Sequence, residues 1–110
     1  MGSGYLSDTG YTIAIDVVVV AFCRSYSARE LAIRSGKYKK RTLMEYEYIN
    51  RSLTDAAREI AGDDFDKYIH EIGYSIGYSA SQVDFVSEYE YKRTKKEVKL
   101  NIAKKLHLLD

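Results

Sequence analysis

A chain of 110 residues fits one domain rather than two independent cores, since a domain takes about 150 residues. Its composition, 45% hydrophobic and 30% charged, excludes collagen-like, disordered and disulfide-scaffold classes, and the lack of any proline lets helices run without a missing donor or a fixed φ. The net charge of +1 hides a block pattern: residues 1–41 carry 7 Lys/Arg and 3 Asp/Glu, residues 42–90 carry 3 and 11, and residues 91–110 carry 7 and 2, so two basic ends flank an acidic middle. Such blocks serve either as a nucleic-acid surface built from both ends or as charge that docks the ends on the centre.

Residues 1–8, beginning Met-Gly-Ser-Gly, are expected to be flexible. From Thr12 to Ser35, Ile15, Val18, Val19, Phe22 and Tyr26, and later Leu31 and Ile33, recur roughly on one helical face. This predicts one continuous helix, capped by Asp8 or Thr9 and stopped by a left-handed Gly36. The run Val17-Val18-Val19-Val20 is β-prone, so a strand followed by a helix is the competing reading. The segment Ile13 to Cys23 is interrupted by Asp16 and too short to span a membrane. Cys23 is the single cysteine, which precludes an intramolecular disulfide and fits a reducing, cytoplasmic setting. It reads as a small buried hydrophobe, since no local Lys or His pattern would activate it.

Gly36 to Arg41 is a strongly basic connection. Thr42 is then expected to cap a second helix with Glu45 as its capping-box partner, and Leu43, Tyr46, Ile49, Leu53, Ala56, Ala57 and Ile60 keep helical spacing up to Gly62. A third helix starts at Asp63 or Asp64, where acids suit the helix dipole, and presents Phe65, Tyr68, Ile69 and Ile72 to the core. Ser79 to Leu109 lacks glycine and proline and reads as helical, either one helix kinked near Ser87 or two. Its inward positions are Val83, Phe85, Val86, Tyr89, Val98, Ile102, Leu106 and Leu109. The predicted fold is therefore all-α, a single domain over residues 1–110 built as a bundle of four or five helices with a long basic C-terminal helix.

Residues 69–83 carry the one constellation with a mechanism. Ile69 and Ile72 give a first helix its apolar face, Gly73 is small enough for a second helix to approach, and Ile76 fills the core beneath a turn. Gly77 permits the reversal, Ser79 caps the next helix and Val83 anchors it. The order Ile72-Gly73, Ile76-Gly77-Tyr78-Ser79, Ser81-Gln82-Val83 resembles the helix-turn-helix of sigma-factor region 4 and of small phage-type transcriptional regulators. Ile102-Ala103-Lys104-Lys105-Leu106 is similar to the pattern that ends the basic helix of those families, so the resemblance covers about residues 66–107. Gly73 stands where those proteins carry alanine.

The resemblance implies a helix-turn-helix near residues 66–90 and a non-enzymatic regulator of phage or mobile-element type that binds duplex DNA. The helix from Ser79 would lie in the major groove, with Gln82 pairing to adenine and Ser79 and Ser81 reaching phosphate or base edges. Lys92, Arg93, Lys95, Lys96 and Lys99 would contact phosphates, and Lys39, Lys40 and Arg41, with Lys37, would form a second backbone clamp. A homodimer suits such a protein, which commonly reads paired half-sites.

The same segment holds Asp84, Glu88 and Glu90 and no cation before Lys92. Acids facing a groove repel phosphate, so the alternative is a helical protein-interaction or oligomerising adaptor. For that reading the 11 tyrosines matter, with Tyr74, Tyr78, Tyr89 and Tyr91 near the turn, because tyrosine offers a rigid ring with a polar tip. No cofactor or metal is expected, since His70 and His107 lack partners at ligand spacing and Asp63, Asp64 and Asp66 match a helix N-terminus better than a calcium loop. The serines lack a nucleophile elbow, and no Gly-rich phosphate loop occurs, so an enzyme is not expected.

Overall fold

The computed structural model describes residues 10–74 and 87–109. The N-terminal periodicity does form helix rather than strand, but in two pieces: α1 (Ile13–Arg24) and α2 (Tyr26–Ser35). Thr12 caps α1 by accepting from the Ile15 N–H at 3.3 Å, rather than Asp8 or Thr9, which lie outside the described residues. The single helix expected across Ser25 is interrupted because side chains compete for the carbonyls of that turn. The Ser25 hydroxyl donates to the Ala21 carbonyl at 2.6 Å, the Arg29 guanidinium to Phe22, and the Tyr74 hydroxyl, from a distant helix, to Arg24 at 3.0 Å. Gly36 ends α2 in the left-handed region at φ 65°, as its position in the sequence predicts.

The long central helix α3 (Lys40–Ala61) begins before Thr42, with Lys39 at the N-cap position, so the Thr42/Glu45 capping box is not what starts it. Gly62 stops it at φ 61°, and a 3-10 turn over Gly62–Asp64 delivers the chain to α4 (Phe65–Tyr74). The last helix, α5 (Glu88–Lys105), opens on a capping box in which the Ser87 hydroxyl accepts from the Glu90 N–H and the Glu90 carboxylate from the Ser87 N–H, each at 3.1 Å. Ser87 is thus a helix start rather than a kink.

Among the described residues, five α-helices and no strand surround one core. Leu53, Ala56 and Ala57 of α3 meet Val98, Ile102 and Ala103 of α5, while Val19 and Cys23 of α1 share the interior with Tyr68, Ile69 and Ile72 of α4. Four expected inward positions turn out to be exposed: Val18, Leu31, Ile60 and Tyr89. At the start of α5 the inward tyrosine is Tyr91, 4% exposed, and Tyr89 stands 72% exposed. The reason is the frame: with Val98 and Ile102 facing the core, 3.6 residues per turn carry Tyr91 to that same face and Tyr89 away from it.

Gly73 marks a close approach of two helices. A Cβ built there would lie 2.6 Å from the Arg24 nitrogen and 2.8 Å from the Cys23 carbonyl carbon, so its smallness lets the backbone of α1 cross α4. The Arg24 guanidinium closes the crossing by donating to the Gly73 carbonyl at 2.8 Å. The Gly73→Ala variant is expected to unfold at lower urea concentration than the parent. Overpacking against backbone costs about 1–3 kcal/mol, more than the roughly 1 kcal/mol of helix propensity that alanine returns, and far-ultraviolet circular dichroism along a urea titration measures the balance.

Candidate nucleic-acid interface

The structure divides the expected phosphate-binding residues into two groups. Lys95 and Lys99, four apart on one face of α5, point into the molecule. The Lys95 ammonium meets the Glu71 carboxylate of α4 at 3.1 Å, and Lys99 meets Asp16 of α1 at 3.1 Å. Asp16 also accepts from the Tyr11 hydroxyl at 2.8 Å. Glu71 is 3% exposed, and a carboxylate that deep is costly without a cation. Burial pushes the hydroxyl of neighbouring Tyr91 up, and the negative charge of Glu71 pushes it the same way. Farther along, Lys105 meets Glu59 at 2.7 Å and the Asn101 amide donates to Glu59 at 2.9 Å. These two hydrogen bonds hold the Glu59 carboxyl below its ordinary range, and the Lys105 ammonium is raised by the same contact.

Lys92, Arg93 and Lys96 face solvent. Lys92 lies 3.9 Å from Glu88 in an exposed pair, a contact worth little, and Arg93 rests over the exposed Tyr89 ring at 5.8 Å. Ser79, Ser81 and Gln82, the expected base-reading residues, lie outside the described residues, as do the turn at Gly77 and the anchor Val83. At Gly73 itself, the backbone of α1 lies against the helix.

A second group of cations gathers where α2 turns into α3. Lys37, Lys39, Lys40 and Arg41 are all exposed, as is Arg34 at the end of α2, and no acid occurs between Glu30 and Glu45. The start of α3 has no acidic residue in its first turn and no side-chain cap, so its first N–H groups and its positive dipole end face outward beside like charge. An anion is the natural complement of that arrangement. The sequence shows the charge; the missing cap appears only once the helix start is seen to be Lys40 rather than Thr42. Arg41 has Glu45 at 3.9 Å in an exposed pair, and Tyr38 packs edge-on against Tyr46 with centroids 6.2 Å apart.

The tip is held in place by a buried polar clamp. Arg29 Nε donates to Asn50 Oδ1 at 2.6 Å, and the Asn50 amide donates to Glu30 at 2.7 Å and to the Tyr26 carbonyl at 3.1 Å. This fixes α2 against α3, so the loop between them projects from a rigid base. Cys23 is buried and its thiol is pushed up to about 12 by that burial, which removes it as a nucleophile at neutral pH. Among the described residues no group of three or more His, Cys, Asp or Glu is placed to hold a metal ion, and no helix is long and apolar enough to cross a membrane.

Both the buried ion pair and the buried thiol can be checked in solution. Lys95→Met removes the ammonium that meets the buried Glu71 and is expected to cost about 2 kcal/mol in chemical denaturation, most of which Glu71→Gln in the same chain recovers. Cys23 is expected to resist a thiol reagent at pH 8 in the folded protein and to react at once in urea. Its raised value also means that the unfolded chain loses the thiol proton first on the alkaline side, so stability falls as pH rises above the ordinary thiol range.

Compared with protein-family models, with curated proteins and with solved structures, the chain matches none.

Proposed function

We propose that this chain is a non-enzymatic DNA-binding protein, a transcriptional regulator of phage or mobile-element type that acts on duplex DNA without a cofactor, in the cytoplasm. The observation that carries the reading is the basic tip: five cations from Arg34 to Arg41, exposed and with no acid among them, at the uncapped start of a 22-residue helix. Phosphate contacts of this kind supply most of the salt-sensitive affinity for DNA. On α5, Lys92, Arg93 and Lys96 add to it, whereas Lys95 and Lys99 act as structural residues. Base reading is assigned to Gln82, with Ser79 and Ser81, on the sequence resemblance.

A second reading, a helical adaptor or oligomer, is favoured by the outer face of α1, where Ile13, Ala14, Val17, Val18 and Ala21 are all exposed. An exposed apolar stripe marks protein contact surfaces, and a homodimer would accommodate both readings.

Fluorescence anisotropy with mixed-sequence duplex DNA at low and moderate salt tests the proposal. Binding is expected to weaken steeply with salt. The variant Lys39→Ala/Lys40→Ala/Arg41→Ala is expected to bind more weakly and to lower the log–log salt slope by about 3, close to one for each phosphate that the variant leaves without its cation. Absence of binding at low salt overturns the proposal and leaves the adaptor reading.

A further inference from the structure

The first half of α3 carries, beside the cations assigned above to duplex binding, apolar side chains that duplex binding does not use. Lys40, Met44 and Tyr48 follow one another at helical spacing of four, with Arg41 and Glu45 in the adjoining row, and together with Ile49 they line an open hollow of about 650 Å³. Met44 is 58% and Tyr48 52% exposed, on the face of α3 opposite the one that builds the core. Tyr38 has its ring set against Tyr46, while among the described residues the Tyr48 ring makes no aromatic contact. An outward ring with an exposed methionine one turn before it and two cations a further turn toward the helix start offers a stacking face and, to one side of it, two phosphate contacts.

We infer that this hollow takes an unpaired base of a single-stranded nucleic acid, with Tyr48 as the stacking platform, Met44 beside it one turn earlier, and Lys40 and Arg41 on phosphates of the strand toward the helix start. Two considerations select that ligand. Bases in a duplex have their faces covered by neighbours and show only edges in the grooves, so a ring lying on a helix surface can stack only on a base that is unpaired. The charge selects a polyanion, because the cations continue past the hollow through Lys39 and Lys37 to Arg34, and the one acid in its lining, Glu45, lies 3.9 Å from Arg41. This goes beyond the duplex reading. It shares the basic tip but requires a different ligand form, so either can fail alone.

The test is anisotropy on the full chain with a labelled oligothymidine of about 12 nucleotides and with a duplex of the same length. Tyr48→Ala is expected to weaken single-strand binding about tenfold and leave duplex binding unchanged, while Tyr48→Phe, which keeps the ring, binds as the parent does. Circular dichroism confirms the fold of each variant, and Met44→Ala serves as a second probe of the hollow. Equal loss for both ligands in Tyr48→Ala, or no loss for either, overturns the inference while leaving duplex binding in place. Failure to bind single strands at all overturns it too, as does displacement of oligothymidine by an acidic peptide whose own binding depends on Tyr48. Failure with the duplex alone counts against the proposed regulator and not against this site.

Discussion

A carboxylate that is 3% exposed needs a cation, and Glu71 obtains one from Lys95 of the last helix. Four residues on, Lys99 does the same for Asp16 of the first helix, so α5 is fastened to both α4 and α1 along one row of side chains. Once that row is set, Val98, Ile102 and Ala103 are directed at Leu53, Ala56 and Ala57 of α3, and hydrophobic burial supplies the bulk of the stability. The ion pairs set orientation; exchanging such pairs for apolar residues is often neutral. Their effect here is to decide which face of a basic helix remains available to a partner.

Much of the block charge pattern is thereby consumed in folding. Lysines of the basic C-terminal block meet acids of the middle and of α1, through Lys95, Lys99 and Lys105. Among the cations that stay outward are those of a short ridge on α5 and of the tip between α2 and α3. At the tip, Lys39, Lys40 and Arg41 oppose the dipole at the start of α3, whereas Arg34 complements the end of α2. The Arg29–Asn50 hydrogen bond ties α2 to α3 at the base of this tip.

Ile69 and Ile72 are buried as an apolar helix face requires. Gly73 has the backbone of α1 close against it, which requires it to be small. A short motif records that a position must be small without recording which neighbour makes it so, since any close-approaching backbone imposes the same constraint.

Helix content, the stops at Gly36 and Gly62, the burial of Cys23 and the apolar face of α3 were legible in the residues themselves, because they depend on periodicity and on the φ preference of single residues. The break at Ser25, the start of α3 at Lys40, the outward turn of Tyr89 and the inward turn of Lys95 and Lys99 were decided by the tertiary structure. Each depends on a group distant in the chain or on the frame of a packed helix. The Tyr74 hydroxyl, 50 positions away, takes the Arg24 carbonyl, and Glu71 and Asp16 draw in lysines that the sequence alone assigns to solvent. Helical spacing establishes that Lys95 and Lys99 share a face; only packing establishes that this face meets acids of this chain.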